Sequence, residues 1–559
     1  MERFGRVRET ESHFVGALEL YMEGEQSICL IAKYTFTCCS FKSELTSKQL
    51  WQSATRYGRV ECRRTNFSYD RGQVGEKFVE FCVKKREDLE ACQEKSNQML
   101  LFLLVICAQI VSDAFANDNL QVAYQWNQMD FNFSSASHRD SAIKSGMYVP
   151  SSVVPVGIEV QTDRLFITLP RWKTGVPASL AFINMNETFT RSPLLSPFPN
   201  WQAHRFSEHE PPEIVSPFRI RADRCGRLWV LDTGIDDLLG ENKRIVNTQL
   251  LIYDLHNDNL LRRYTFPDDQ VKQKSFFANI AVEDGQCDDT FAYSADLGSP
   301  GLVVYSWKQN ESWRVHHNFF HPDPLAGNFS ITGVNFQWDD GLFGLAVSKA
   351  DPEDGFATLY FHPLSSTREF SVSTRFLRDK QLAMNDSAIY KEFKILGSRG
   401  PNGQSGSQFL DQLTGVLFYS LPNLNAVACW RTTNKVYTIK SQGRVYMNVE
   451  DMQFPNDIKV DNQDRLWVLS DRLHQFIYGE LNPNDINFRI LTADVTDAID
   501  HTACDTKPKT LPDIITKLGD ILRPQKAPTS GTSSQHPTTI LIHTFLHIAI
   551  YFIAAATFM

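Results

Sequence analysis

The chain has no surplus of positive charge: 56 Lys and Arg stand against 65 Asp and Glu, for a net charge of −9. No long basic run stands out from that balance, which argues against a nucleic-acid partner. The signatures of common hydrolases and nucleotide enzymes are also missing. Gly403-Gln404-Ser405-Gly406-Ser407 fails the last position of a nucleophile elbow. His209-Glu210-Pro211-Pro212-Glu213 ends in the wrong residue for a zinc helix, and its prolines forbid that helix. There is no P-loop and no CxxC pair. His316, His317 and His321 fit no standard metal spacing, so neither a metal nor a cofactor is expected. Cysteine is sparse in the second half. Of 11 in all, six lie in residues 1–98, and only Cys225, Cys287, Cys429 and Cys504 follow Ala116.

What is present is a repeated phrase. Arg227-Leu228-Trp229-Val230-Leu231-Asp232 returns as Arg465-Leu466-Trp467-Val468-Leu469-Ser470-Asp471. Weaker copies centre on Leu165, Phe291, Leu342 and Leu417, so successive copies are spaced by 63, 63, 51, 75 and 49 residues. Each follows an alternating run ending in a polar turn, such as Ile220-Arg221-Ala222-Asp223 or Ile458-Lys459-Val460-Asp461. Val334-Asn335-Phe336 takes that place before Leu342. Period-two alternation broken by Asp, Asn and Gly turns marks hairpins. A third run follows each copy: Leu180–Met185, Leu250–Leu255, Leu302–Trp307, Leu359–Phe361, Val427–Trp430 and Phe476–Leu481. A fourth is visible at Leu260–Phe266 and Trp313–His317. Six such units predict an all-β, six-bladed β-propeller over residues 117–505. An ordinary β-sandwich would need the in-order copies to be chance.

The ends carry a different pattern. Met99–Ala116 holds a short apolar run that closes on Ala114-Phe115-Ala116, the small-x-small form of a signal-peptide cleavage site. It is short for a membrane span. Two readings follow: residues 1–98 are a gene-model extension ahead of a true start at Met99, or a cytosolic tail before a signal anchor. The first is preferred. Residues 506–538 are rich in Pro, Thr, Ser and Lys and read as a stalk. Residues 539–559 form an apolar tail without Lys, Arg, Asp or Glu, preceded by Ser530-Gly531-Thr532. This fits a GPI signal, with an ordinary transmembrane helix as the alternative. An extracellular protein with a possible membrane tether is expected.

In that setting four cysteines form two disulfides, with three connectivities open. Cys225–Cys287 and Cys429–Cys504 are preferred because each would staple adjacent blades. Sequons at Asn132, Asn186, Asn310, Asn328 and Asn385 are glycosylation candidates.

Propeller geometry places any small-molecule site at the central channel. The residues opening each inner strand should converge there: Val156-Gly157, Phe218-Arg219, Ala278-Asn279, Thr332-Gly333, Ser407-Gln408 and Asn456-Asp457. A few polar groups in an apolar cavity suit a small ligand. Asp457 would pair with an ammonium, Asn279, Asn456 and Thr332 would take hydroxyls, Gln408 would add an amide, and Phe218 or Phe336 would stack on a ring. The plain alternative is that these groups hydrogen-bond the backbone and close the channel. The Asp residues after the phrase (Asp232, Asp296, Asp471) read as turn caps.

Beyond the repeat, residues from about Tyr124 to Cys504 resemble the insect yellow / major royal jelly protein family. The phrases that carry the resemblance include Tyr148-Val149-Pro150, Arg164-Leu165-Phe166-Ile167-Thr168-Leu169-Pro170-Arg171-Trp172, Cys225-Gly226-Arg227-Leu228-Trp229-Val230-Leu231-Asp232-Thr233-Gly234, Phe320-His321-Pro322-Asp323-Pro324 and Gly333-Val334-Asn335-Phe336-Gln337-Trp338. The match looks closer to the yellow proteins than to the royal jelly branch. The resemblance implies a secreted six-bladed propeller linked to cuticle or eggshell pigmentation. It implies a small aromatic amine or a catechol or indole metabolite as partner. It leaves three activities open: binding, dopachrome conversion, or a structural or signalling role at the surface. Conversion would need a base and a carboxylate-holding cation, for which Asp457 and Arg219 are the nominees. The resemblance supplies no catalytic motif to carry over.

Overall fold

The repeated phrases fold as strands of six four-stranded antiparallel sheets arranged as the blades of a propeller. The computed structural model describes residues 119–187 and 190–506, together with the backbone of two short strands, Gln26–Leu30 and Thr37–Phe41. Those two strands pair with each other and belong to a different unit from the propeller. The expected signal peptide, the tail and most of the stalk lie outside the described residues.

From the channel outward, blade 1 is Gly157–Gln161, Arg164–Thr168, Leu180–Asn184 and Ser196–Pro197. Blade 2 is Pro217–Ala222, Arg227–Asp232, Gln249–Asp254 and Asn259–Thr265. Blade 3 is Phe277–Glu283, Phe291–Asp296, Gly301–Ser306 and Glu311–Val315. Blade 4 is Leu342–Val347, Thr358–Pro363, Arg368–Ser373 and Lys394–Ser398. Blade 5 is Gln408–Asp411, Val416–Leu421, Ala426–Arg431 and Gln442–Met447. Blade 6 takes Phe454–Val460, Arg465–Asp471 and Phe488–Asp494 from the end of the chain and Gln121–Trp126 from its beginning. That last pairing closes the ring.

The phrase is framework, and its chemistry shows why it recurs. Asp223 Oδ1 accepts from the backbone N–H groups of Cys225 (2.9 Å) and Arg227 (3.0 Å). Its Oδ2 accepts from Arg227 Nε (2.6 Å) and the indole of Trp229 (2.7 Å). Asp461 repeats the clasp with the N–H groups of Gln463 (2.8 Å) and Arg465 (3.0 Å) and the Trp467 indole (2.7 Å). One carboxylate thus fixes the hairpin turn and the first large ring of the next strand. The second strands of blades 2 and 3 are buried at every residue. Each buried aliphatic or aromatic side chain there contributes roughly 1.5–3 kcal/mol. Asp232 and Asp296 end those strands and cap the entrance to their own inner strands, accepting from Ser216 N (2.8 Å) and Phe276 N (2.9 Å).

Both preferred disulfides form. Cys225–Cys287 joins the inner-hairpin turn of blade 2 to that of blade 3, and Cys429–Cys504 joins blade 5 to the segment leaving blade 6.

Two strand assignments need correction. The copy at Leu342 is the inner strand of blade 4, so Leu359–Phe361 falls on its second strand. Val334-Asn335-Phe336 belongs instead to a separate hairpin, Asn328–Ile331 with Val334–Gln337. The sequence misleads because that hairpin alternates like a blade strand, while the true inner strand is uniformly apolar. Phe476–Leu481 is not the third strand of blade 6 either. Leu473–Tyr478 is a short helix, and Phe488–Asp494 takes the strand's place. Leu473, Phe476 and Ile477 have the i, i+3, i+4 spacing of a helix.

Candidate functional site

In blades 2, 3, 4 and 6 the inner strand carries an irregularity at one equivalent place, skipping Phe218, Ala278, Phe343 and Asn456 in the pairing. A bulge re-aims the side chain it carries. Phe218 stacks on Trp172 at 5.6 Å between centroids and meets Phe276 (5.4 Å) and Phe343 (6.1 Å) edge-on. These rings pack as one largely buried apolar cluster where the inner strands begin, at the mouth of the channel.

Just inside, the channel is plugged by charge. Asp457 is fully buried and both its oxygens are engaged. Oδ1 accepts from Ser407 Oγ (2.7 Å) and Ile458 N (2.9 Å), and Oδ2 from Ile158 N (2.9 Å). Lys459 Nζ reaches both oxygens at 2.8 Å, and Arg219 Nε lies 3.6 Å from Oδ1. Burial alone would raise this carboxyl, but the two cations and the donors outweigh it and hold it below the usual range.

Arg219 is committed through its two terminal nitrogens, while its buried Nε makes no hydrogen bond. It donates to Val156 O of blade 1, to Asn456 O (2.7 Å) and to Asn456 Oδ1 (2.9 Å) of blade 6. Its guanidinium lies over Phe218 (4.6 Å) and Phe343 (5.3 Å). Asn456 Nδ2 in turn donates to Asp471 at 2.7 Å. A side chain at Gly157 would put its Cβ 2.8 Å from Phe218 O, so glycine is required where blades 1 and 2 meet.

Below the plug a small cavity of about 30 Å³ opens, lined in part by Arg221, Asn279, Gln408, Phe409 and Lys459. That is room for a water or two, not for a catechol. Asn279 donates to Phe343 O (2.8 Å) and Gln408 to Tyr360 O (3.0 Å), while Gln408 Oε1 has no partner. Glu159 pairs with Arg221 at 3.0 Å, and its negative charge favours the protonated form of Lys459.

The predicted ring therefore divides. Phe218, Arg219, Asn456, Asp457 and Ser407 converge at the plug, and Asn279 and Gln408 line the space beneath it. Thr332 and Phe336 do not open an inner strand, because the hairpin that carries them is an extra element. Thr332 (φ 45°) and Gly333 (φ 90°) form its tip. Phe336 stacks between Phe329 (5.4 Å) and Tyr478 (4.9 Å), and Trp338 donates to Tyr478 Oη at 2.6 Å. Phe329, Phe336 and Trp338 pack in the same apolar cluster as Phe218, Trp172 and Phe343.

Two residues the sequence reading passed over belong to this region. Lys459 had a signal, since it sits two positions after Asp457 and so on the same strand face. His474 had none, because a helix supplies it from outside the repeat. Its Nε2 lies 2.9 Å from Thr332 Oγ1, its ring stacks on Phe454, and its Nδ1 is buried without a partner.

His317 caps a short turn, accepting from Phe319 N (3.1 Å), and stacks on Phe393 at 4.1 Å. Among the described residues no group of three or more His, Cys, Asp or Glu is placed to hold a metal. Nor is any helix among them long and apolar enough to cross a membrane. All five sequon asparagines are exposed.

The family described as "Major royal jelly protein" matches residues 215–504. "Protein yellow" of Drosophila subobscura is 43% identical over 410 residues, which cover 73% of this chain and 71% of that one. "Protein yellow" of Drosophila erecta is 40% identical over 456 residues, covering 78% and 83%. Solved structures are more distant: a luciferin-regenerating enzyme is 11% identical, with a TM-score of 0.36, over 61% of this chain and 91% of that chain.

Proposed function

The chain belongs to the yellow and major royal jelly protein family, and on that premise we propose that it is a secreted pigmentation protein that binds a small aromatic amine or a catechol or indole metabolite. The site is the aromatic mouth of the channel, between the Arg219–Asp457 plug and the hairpin Asn328–Gln337. The convergence of Trp172, Phe218, Phe276 and Phe343 carries this reading. Such rings offer stacking and cation–π contacts to an aromatic ammonium, whereas the cavity below the plug holds about 30 Å³.

Binding is favoured over dopachrome conversion for one reason. A base must have a free lone pair and a pKa near the working pH. Asp457 has neither, being held low by Lys459 and Arg219. Secretion is supported by the apolar run ending in Ala114-Phe115-Ala116 and by two disulfides suited to an oxidising compartment. Tethering through residues 539–559 remains part of the proposal. Release from cells by a phosphoinositide-specific phospholipase would support it, and retention would reject it.

Calorimetry with dopamine, serotonin and dopachrome tests the binding reading. Saturable heat from at least one, weakened by Phe218→Ala, is the expected result. No heat from any at high micromolar concentration rejects it.

A further inference from the structure

The rings of the mouth supply apolar contact but cannot distinguish a phenol from its deoxy analogue. Such discrimination needs a polar group that is buried and unsatisfied until the hydroxyl arrives. His474 meets that description. It is wholly buried, and its ring stacks on Phe454, which belongs to the same apolar cluster as Trp172, Phe218 and Phe343. Nε2 is engaged by Thr332 of the hairpin, while Nδ1 has no partner.

We propose that His474 Nδ1 is the hydrogen-bond partner of a phenolic hydroxyl on the aromatic amine held at the mouth. The assignment rests on the reading of the mouth as a binding site and adds to it the feature that selects among ligands. Burial and the neighbouring Arg472 push the imidazole down to about 4, so it is neutral at physiological pH. A neutral imidazole has one donor and one acceptor nitrogen. The Thr332 hydroxyl donates or accepts at Nε2, which leaves Nδ1 free to take the complementary role toward a phenol. The hairpin tip supports this arrangement. Thr332 is β-branched yet sits in the left-handed region, which such residues rarely occupy. Its hydroxyl is thereby held on His474.

The experiment compares serotonin with tryptamine, which lacks the hydroxyl, by calorimetry on the intact protein. Wild type should prefer serotonin by roughly tenfold to a hundredfold, the worth of satisfying one buried polar group. His474→Gln keeps a polar atom near the Nε2 position and loses the one at Nδ1, so the ratio should fall towards one. His474→Asn keeps a polar atom near Nδ1 and should retain part of the preference. A thermal melt accompanies each variant, and the Asn variant serves if the Gln variant fails to fold. Equal binding of both amines by wild type would overturn the assignment and leave the mouth as a site. So would a preference that survives in His474→Gln. Binding of neither amine would overturn both the assignment and the binding reading beneath it.

Discussion

Arg219 Nε and Asp457 Oδ1 face each other at 3.6 Å with both side chains wholly buried. Together with Lys459 they tie blades 1, 2, 5 and 6 at the channel. Removing one charge from such a cluster leaves the others uncompensated. Asp457→Asn should therefore cost about 3–5 kcal/mol of stability. Urea unfolding reads this as a lowered midpoint. A wild-type midpoint would show that the plug does not hold the ring, and would return Asp457 to consideration as a functional group.

The two disulfides close loops with sequence separations of 62 and 75 residues. In the chain-entropy account each restricts the unfolded chain by about 4 kcal/mol. Replacing Cys225 and Cys287 together by Ser should lower the unfolding midpoint strongly, and the pair Cys429 and Cys504 by a similar amount. Denaturation with and without reductant checks the same quantity in the unaltered protein. A reduced protein as stable as the oxidised one would contradict it.

The Asp223–Trp229 and Asp461–Trp467 clasps make equivalent use of one carboxylate. Trp229→Phe and Trp467→Phe keep the ring and remove the donor, so each should cost roughly 1–3 kcal/mol. Asp223→Ala removes the acceptor for the indole, for Arg227 and for two backbone N–H groups, and should cost more than either. Equal losses for Asp223→Ala and Trp229→Phe would mean that the turn holds without its carboxylate.

These clasps explain why the propeller was legible. A carboxylate that must meet an indole across a tight turn leaves residue types at fixed offsets, and period-two burial leaves alternation on either side. The inner strand of blade 4 escaped because it is buried on both faces and does not alternate, so its phrase reads as a second strand. The candidate site was half legible. Positions opening inner strands of blades 2 and 6 gave Phe218, Arg219, Asn456 and Asp457 correctly as neighbours. Their saturation by backbone donors and acceptors was invisible, because it depends on the three-dimensional closure of the ring. The hairpin and His474 lie outside the repeat, and no period points to them.

Asp471 ends the second strand of blade 6 as Asp232 and Asp296 end theirs, but its surroundings differ. Asp296 has Arg314 at 2.9 Å, whereas Asp471 accepts only from neutral groups, Asn456 Nδ2 (2.7 Å) and Leu473 N (3.0 Å). Burial outweighs those bonds and the more distant pull of Arg219, raising this carboxyl to about 7. The folded protein thus holds a proton that the unfolded chain releases near pH 4. Stability from this group is complete below that pH, falls as pH rises, and is gone above about 7. His474 acts in the opposite sense, since its depressed pKa of about 4 gives stability that is lost as pH falls from its ordinary value towards 4. Comparing wild type with Asp471→Asn isolates the carboxyl, because the amide mimics the protonated acid at every pH. Urea unfolding at pH 4, 5.5 and 7.5 should show wild type losing ground to the variant by at most about 4 kcal/mol across the series. A difference independent of pH would mean that Asp471 is ionised throughout and that the Asn456 contact is an ordinary carboxylate bond.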